Sequence, residues 1–173
     1  DFELSTLPTI LDSIYTHRVT HFIAVPVMLS MILRLDDSYL DCFREDSLRF
    51  VLSTAAALPG DLWQQFEQAS GQAVTNQYGL TECSVGIYNG PDAQSRKVGV
   101  AGKPYACEIR IVDDQDEDCV VGCAGSLWIK SESLMDGYLN NDQATTHAIV
   151  DGWLRTGDIA VQDEQGFISI VGR

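Results

Sequence analysis

Basic side chains are scarce in this 173-residue chain, where 11 Lys and Arg stand against 25 Asp and Glu for a formal charge of −14 at neutral pH. A deficit of that size repels polyanions and anionic membrane surfaces, so nucleic acid is not expected as a partner. Long apolar runs are lacking too. No stretch approaches the ~18 uninterrupted apolar residues that a spanning helix needs, and no basic then apolar leader opens the chain. The expectation is a cytoplasmic protein without a membrane span. Cysteine is sparse: Cys42, Cys83, Cys107, Cys119 and Cys123 make five at irregular separations. An odd count leaves one sulfur over in any full set of disulfides, and without a secretory leader these residues read as free thiols. The three histidines, His17, His21 and His147, bring no second ligand pair to Cys119 and Cys123 at a zinc spacing. What is present is ordinary for a folded chain, 45% hydrophobic and 21% charged residues, enough for one compact core or two small ones.

Periodicity divides the chain. Leu7, Ile10, Leu11 and Ile14 recur at helical spacing, and Val19 to Val25 reads as a buried strand. Pro26 opens a helix whose apolar face is Val27, Met28, Met31, Ile32 and Leu35. Leu48 to Ser53 reads as a strand. A helix from Pro59 to Ala69 turns Leu62, Trp63 and Phe66 inward and stops at Gly71, and Ala73 to Gln77 is a short strand. Helices alternating with short apolar strands predict a parallel α/β layer. Beyond about Ser95 the pattern is mostly β, with Val98 to Ala101, Glu108 to Val112, Ser126 to Lys130 and Phe167 to Val171 as strands. The acidic run Asp113 to Asp118 lacks the glycine and closing glutamate of a calcium loop and reads as a solvated hairpin loop. The chain opens at Asp1 without a Met and stops at Arg173 just after an apolar run, so both ends read as cut.

Two segments carry chemistry. Thr75-Asn76-Gln77-Tyr78-Gly79-Leu80-Thr81-Glu82 follows a strand and gathers an amide, an aromatic ring, a glycine, a hydroxyl and a carboxylate. An aromatic face stacks on a base, an amide reads its edge, and a hydroxyl and carboxylate meet a phosphate and its magnesium. The same octapeptide also reads as a polar loop with a half-buried tyrosine. Asp151-Gly152-Trp153-Leu154-Arg155-Thr156-Gly157-Asp158 sets a carboxylate after a glycine, suited to a ribose diol or to nothing more than a hairpin turn. No Ser, His and Asp set stands at a hydrolase spacing.

These segments sit in a longer series: Val19-Thr20 through Val25-Pro26, Leu58-Pro59, Tyr78 to Glu82, Gly99 to Pro104, Gly137-Tyr138-Leu139-Asn140, Gly152 to Asp158, and Gly166 to Arg173. In that order and spacing the chain resembles the adenylate-forming superfamily of acyl-CoA synthetases, peptide-synthetase adenylation domains and luciferases. The resemblance implies that ATP and a small carboxylic acid give an acyl-adenylate and pyrophosphate, the acyl group passing to a thiol such as coenzyme A. It implies part of the α/β subdomain over residues 1–92, parallel strands with helices, ending in the Tyr-Gly-Leu-Thr-Glu motif. A β-rich, distorted-barrel-like subdomain follows over 93–173, up to an inter-domain hinge. In the roles it implies, Tyr78 stacks on adenine, Asn76 bonds its amino edge, and the backbone of Ala55, Ala56 and Ala57 covers the other face. Gly79 lies along the nucleotide, Thr81 contacts the α-phosphate and the substrate carboxylate, Glu82 holds Mg2+, and Asp158 and Arg173 grip the ribose of ATP or AMP. Thr81 and Glu82 are then the catalytic pair.

The chain departs from the family pattern at Thr54-Ala55-Ala56-Ala57, where a Gly-Gly-Ala-Pro-like stretch is usual, and the added methyl groups narrow that site. It also holds no Ser/Thr/Gly-rich phosphate loop followed by lysine, and it ends before the small domain that carries the family's catalytic lysine. The resemblance therefore implies a middle portion of a larger ligase, inactive alone and missing an N-terminal part and a C-terminal domain. Leu80 and the Gly-Tyr-Leu-Asn-Asn stretch favour a coenzyme A ligase. Arg155 before Thr156-Gly157-Asp158 leans toward an amino-acid adenylation domain, and a non-catalytic nucleotide-binding relative is the third alternative.

Overall fold

The computed structural model describes residues 4–90, 92 and 95–173. Contacts sort the chain into two units, residues 1–76 with 90–99 and residues 77–89 with 100–173. The boundary expected from sequence lies between residues 92 and 93; the segment 77–89 groups with the second unit because its apolar side chains Tyr78, Leu80, Cys83 and Ile87 belong to that unit's core.

The first unit alternates helix and strand: α1 Leu7–Thr16, β1 His21–Ala24, α2 Pro26–Ile32, a 3-10 helix Asp37–Arg44, β2 Phe50–Ser53, α3 Gly60–Ser70 and the start of β3, Val74–Leu80. β1, β2 and the first residues of β3 pair in parallel, with Phe22 opposite Val51 and Val51 opposite Val74. Parallel neighbours need a crossover, and the helices supply it. Pro26 starts α2 where its missing N–H costs no bond, and Gly71 ends α3 at φ +75, a left-handed turn that glycine adopts without strain. Phe22, Phe43 and Phe66 stack edge to face through the core, with centroids 5.5 and 5.2 Å apart. Below them Glu67 accepts from Trp63 Nε1 at 3.0 Å and from the Val74 N–H at 2.6 Å, and pairs with Arg96. One half-buried carboxylate thereby ties the end of α3 to the first residue of β3.

The second unit is the expected β-rich part. β3 continues to Leu80 and bonds β4, Ser84–Asn89, which bonds β5, Lys103–Pro104; the connection of only three residues makes the first pair a hairpin. A second sheet comprises β6 Glu108–Val112, β7 Ala124–Lys130, β8 Ile149–Val150, β9 Trp153–Gln162 and β10 Ile168–Gly172, in antiparallel order β10-β9-β7-β6 with β8 on β9. α4, Asp142–Ala148, precedes β8. Ile87, Leu127, Ile129, Leu154 and Ile168 are the second unit's largest fully buried side chains.

Several sequence expectations give way here. Ile23 is 61% and Val27 53% exposed, so β1 alternates instead of burying both faces, and α2 turns Leu29 and Ile32 inward and ends before Leu35. Val98 to Ala101 is a turn, because Gly99 at φ +84 leaves the extended region; the strand pairing falls instead at Lys103–Pro104. The octapeptide's polar composition hides a strand that runs on to Leu80, and the segment Asp151 to Asp158 opens with the expected hairpin turn, Asp151-Gly152 between β8 and β9, but carries Asp158 in the middle of β9. β4, α4 and β8 carry too little apolar periodicity to have been read. The acidic run is a hairpin loop, but it is pinned: Arg110 pairs with Asp118 at 2.6 Å and Arg155 with Asp116 at 3.0 Å.

Candidate functional site

In the first unit, Ala55, Ala56 and Ala57 form the exposed bend after β2, and Ala55 holds φ +66, a left-handed conformation that costs an L-residue about 1–2 kcal/mol. Asn76 is the last residue of β3 in that unit, opposite Ser53 of β2, and its side chain is buried.

The second unit brings together Tyr78, Asp158 and Arg173. What aims Asp158 is an irregularity in β9. Between the pairs Trp128–Arg155 and Ser126–Ile159, two steps along β7 answer four along β9, so Thr156, Gly157 and Asp158 stand opposite Leu127 alone. Gly157 takes φ +76 at the crest. Thr156 braces the bulge from inside, donating to the Leu127 carbonyl at 2.8 Å and accepting the Asp158 N–H at 3.1 Å. Bulges of this kind re-aim side chains, and here the carboxylate is turned to the Tyr78 hydroxyl. Tyr78 donates to Asp158 Oδ2 at 2.5 Å. Arg173, next to Gly172, which pairs with Ile159, sets its Nε 3.5 Å from Asp158 Oδ1; the arginine is 76% exposed and the carboxylate 8%. Burial and then the bond to Asp158 push the Tyr78 phenol far above its ordinary value, so it is a permanent donor at neutral pH.

Gly79 is required by the fold: a Cβ there would stand 2.0 Å from the Ser84 carbonyl oxygen, so the hairpin closes only on glycine. The close approach expected toward a ligand is thus made first toward β4. Thr81 and Glu82 lie in the turn between β3 and β4, Thr81 exposed and Glu82 half-buried. Glu82 Oε1 accepts the Tyr138 hydroxyl at 2.8 Å, and among the described residues no further hydrogen bond engages its other oxygen. A carboxylate with one oxygen anchored and one available suits a hard, oxygen-seeking cation, so the donor chemistry fits magnesium. Thr156 as a brace and Tyr138 as a partner of Glu82 had no role in the sequence reading; the spacing Gly137-Tyr138 was visible, but not where it folds. Arg155 is occupied by Asp116 and by the face of Trp128, 4.7 Å from its centroid.

A family model described as AMP-binding enzyme matches residues 2–139. The 2-succinylbenzoate–CoA ligase of Bacillus pumilus is 35% identical over 167 residues, covering 95% of this chain and 33% of that protein. Among solved structures, an anthranilate CoA ligase in complex with anthranoyl-AMP matches 99% of the chain and 33% of its own at 28% identity and a TM-score of 0.87. The O-succinylbenzoate coenzyme A synthetase from Bacillus subtilis, in complex with ATP and magnesium ion, matches 99% and 34% at 32% identity and a TM-score of 0.83. The chain spans about a third of the length of these relatives.

Proposed function

The chain belongs to the AMP-binding enzyme family, and from that premise we propose that the protein containing it activates a carboxylic acid with ATP and passes the acyl group to coenzyme A. The acid's oxygen attacks the α-phosphorus, pyrophosphate leaves, and the thiol then displaces AMP from the acyl-adenylate. Joining a weak nucleophile to a polyanion needs in-line positioning and charge neutralisation more than proton transfer. The residues divide accordingly. Tyr78 offers its ring to adenine and Asn76 its amide to the base edge, with the backbone of Ala55 to Ala57 on the other face. Gly79 keeps the strand beside the nucleotide free of side chain. Asp158 and Arg173 take the ribose hydroxyls, Thr81 the α-phosphate and the acid's carboxylate. Glu82 would hold magnesium, which supplies neutralisation of the phosphate charge when bound.

The observation that carries this reading is the Tyr78–Asp158–Arg173 cluster: a ring and a carboxylate fixed to each other by a bulge and a hydrogen bond, as a nucleoside's base and sugar require. The coenzyme A ligases among the relatives support the choice of acceptor. No helix among the described residues is long and apolar enough to cross a membrane, and the cytoplasm, where ATP and coenzyme A are supplied, is the proposed place of action. The test is acid-dependent exchange of pyrophosphate into ATP by the full-length protein across a panel of aryl and fatty acids, with thioester formation followed chromatographically. Exchange without thioester would favour a different acceptor; no exchange with any acid, despite ATP binding, would favour a non-catalytic relative.

A further inference from the structure

Glu82 is held at two points by one loop. Its carbonyl accepts the Met135 N–H at 2.8 Å, and its side chain accepts the Tyr138 hydroxyl at 2.8 Å. The loop is in turn fixed by the start of α4. Thr145 Oγ1 accepts the Tyr138 N–H at 2.9 Å and donates to the Asn141 carbonyl at 3.1 Å, and the Asn141 N–H closes a turn on the Tyr138 carbonyl at 3.2 Å. Gly137 passes so close to Thr145 that a Cβ would lie 2.9 Å from its side chain. Core packing is not the tyrosine's role: Tyr138 is 37% and Leu139 90% exposed, and neither joins the buried cluster of this unit. Its fixed contribution is the hydroxyl.

A glutamate side chain without a partner samples several rotamers, and ordering it on binding weakens its hold on a cation. A carboxylate already oriented by an outer partner avoids that loss. We propose that Tyr138 is a positioning residue for metal binding, orienting the Glu82 carboxylate through Oε1 so that Oε2 remains directed to a divalent cation; the inference rests on the magnesium role proposed for Glu82.

The experiment is a titration of Mn2+ by electron paramagnetic resonance on the full-length protein loaded with a non-hydrolysable ATP analogue, for wild type, Tyr138→Phe, Thr145→Val and Glu82→Gln. Tyr138→Phe should weaken Mn2+ binding about tenfold, leave the metal-free affinity for the analogue and the far-ultraviolet circular dichroism unchanged, and raise the magnesium concentration needed for exchange while turnover recovers at saturation. Thr145→Val, which leaves the phenol but frees its main chain, should shift the same quantity less, and it carries the test should the phenylalanine variant fold poorly. Wild-type Mn2+ affinity in Tyr138→Phe beside a large loss in Glu82→Gln would overturn the inference alone. Losses of metal-free nucleotide affinity and of the far-ultraviolet signal would reduce Tyr138 to a structural contact. Wild-type affinity in Glu82→Gln would instead overturn the magnesium role from which the inference starts.

Discussion

The hydroxyl of Tyr78 and the carboxylate of Asp158, 80 residues apart in sequence, stand 2.5 Å from each other, the phenol donating to a side chain that is 8% exposed. Removing only that hydroxyl, in Tyr78→Phe, leaves a buried carboxylate oxygen short of a donor. Such a loss costs about 1–3 kcal/mol, read as a lower denaturant midpoint with unchanged slope.

The same pair sets an alkaline limit. Burial and the bond to Asp158 raise the folded-state value of the phenol above the 10.0 from which it starts, whereas the unfolded chain titrates near the ordinary tyrosine value of about 10. Above that pH the unfolded state sheds a proton that the folded state keeps, so stability falls as pH rises. The contribution is whole below about pH 10 and is lost above it. Unfolding measured from pH 8 to 11 should show a steeper decline for wild type than for Tyr78→Phe; parallel curves would mean that the phenol is not the group responsible.

Ala55 pays a conformational cost that glycine would not, given its φ of +66. Ala55→Gly relieves about 1–2 kcal/mol of left-handed strain but adds unfolded-state freedom of about 0.5–1 kcal/mol, so a net gain between zero and about 1.5 kcal/mol is expected. A lower melting temperature in this variant would show that the methyl group makes a contact worth more than the strain.

In the roles proposed above, Glu82 and Asp158 should fail differently. In the full-length protein Glu82→Gln removes charge where phosphate charge is neutralised and should lower turnover. Asp158→Asn weakens hydrogen bonds to neutral hydroxyls that ground and transition states share, so it should raise KM for ATP with turnover less affected. Equal kinetic profiles for the two variants would mean that the carboxylates have been assigned to the wrong parts of the nucleotide.

The 173 residues by themselves should show no exchange of pyrophosphate into ATP with any acid, since no Ser/Thr/Gly-rich run followed by lysine is among them and the departing pyrophosphate would lack a clamp. Robust exchange by this chain would reveal a clamp made of other residues.

Helix and strand alternation in the first unit was legible because its buried positions, Leu7, Leu11, Trp63 and Phe66, recur at helical spacing and its strands are short and apolar. The Thr75 to Glu82 and Asp151 to Asp158 segments stood out as candidates for a site from residue type alone. Their geometry was not legible. That Asp158 reaches Tyr78 depends on a bulge whose only local mark is Gly157, and the pairing that makes it a bulge is with Leu127, far away in sequence. Tyr138 was hidden in the same way, since its partner lies 56 residues upstream. β4 and α4 escaped because β4 buries a glycine and an asparagine, Gly86 and Asn89, and α4 buries no side chain, whereas period alone finds only elements with a continuous apolar stripe.

The excess in β9 is two residues, not one, and that number has an evolutionary consequence. Leu154, Thr156, Asp158 and Ala160 all point inward, because adding two residues to a strand preserves its alternation whereas adding one reverses it. Deleting a pair such as Gly157-Asp158 would let β9 run straight past β7 with every core side chain still on its own side. A single-residue deletion would turn half the strand inside out. The carboxylate proposed for the ribose is therefore carried on a cassette that a lineage can gain or discard in one step without rebuilding the sheet beneath it.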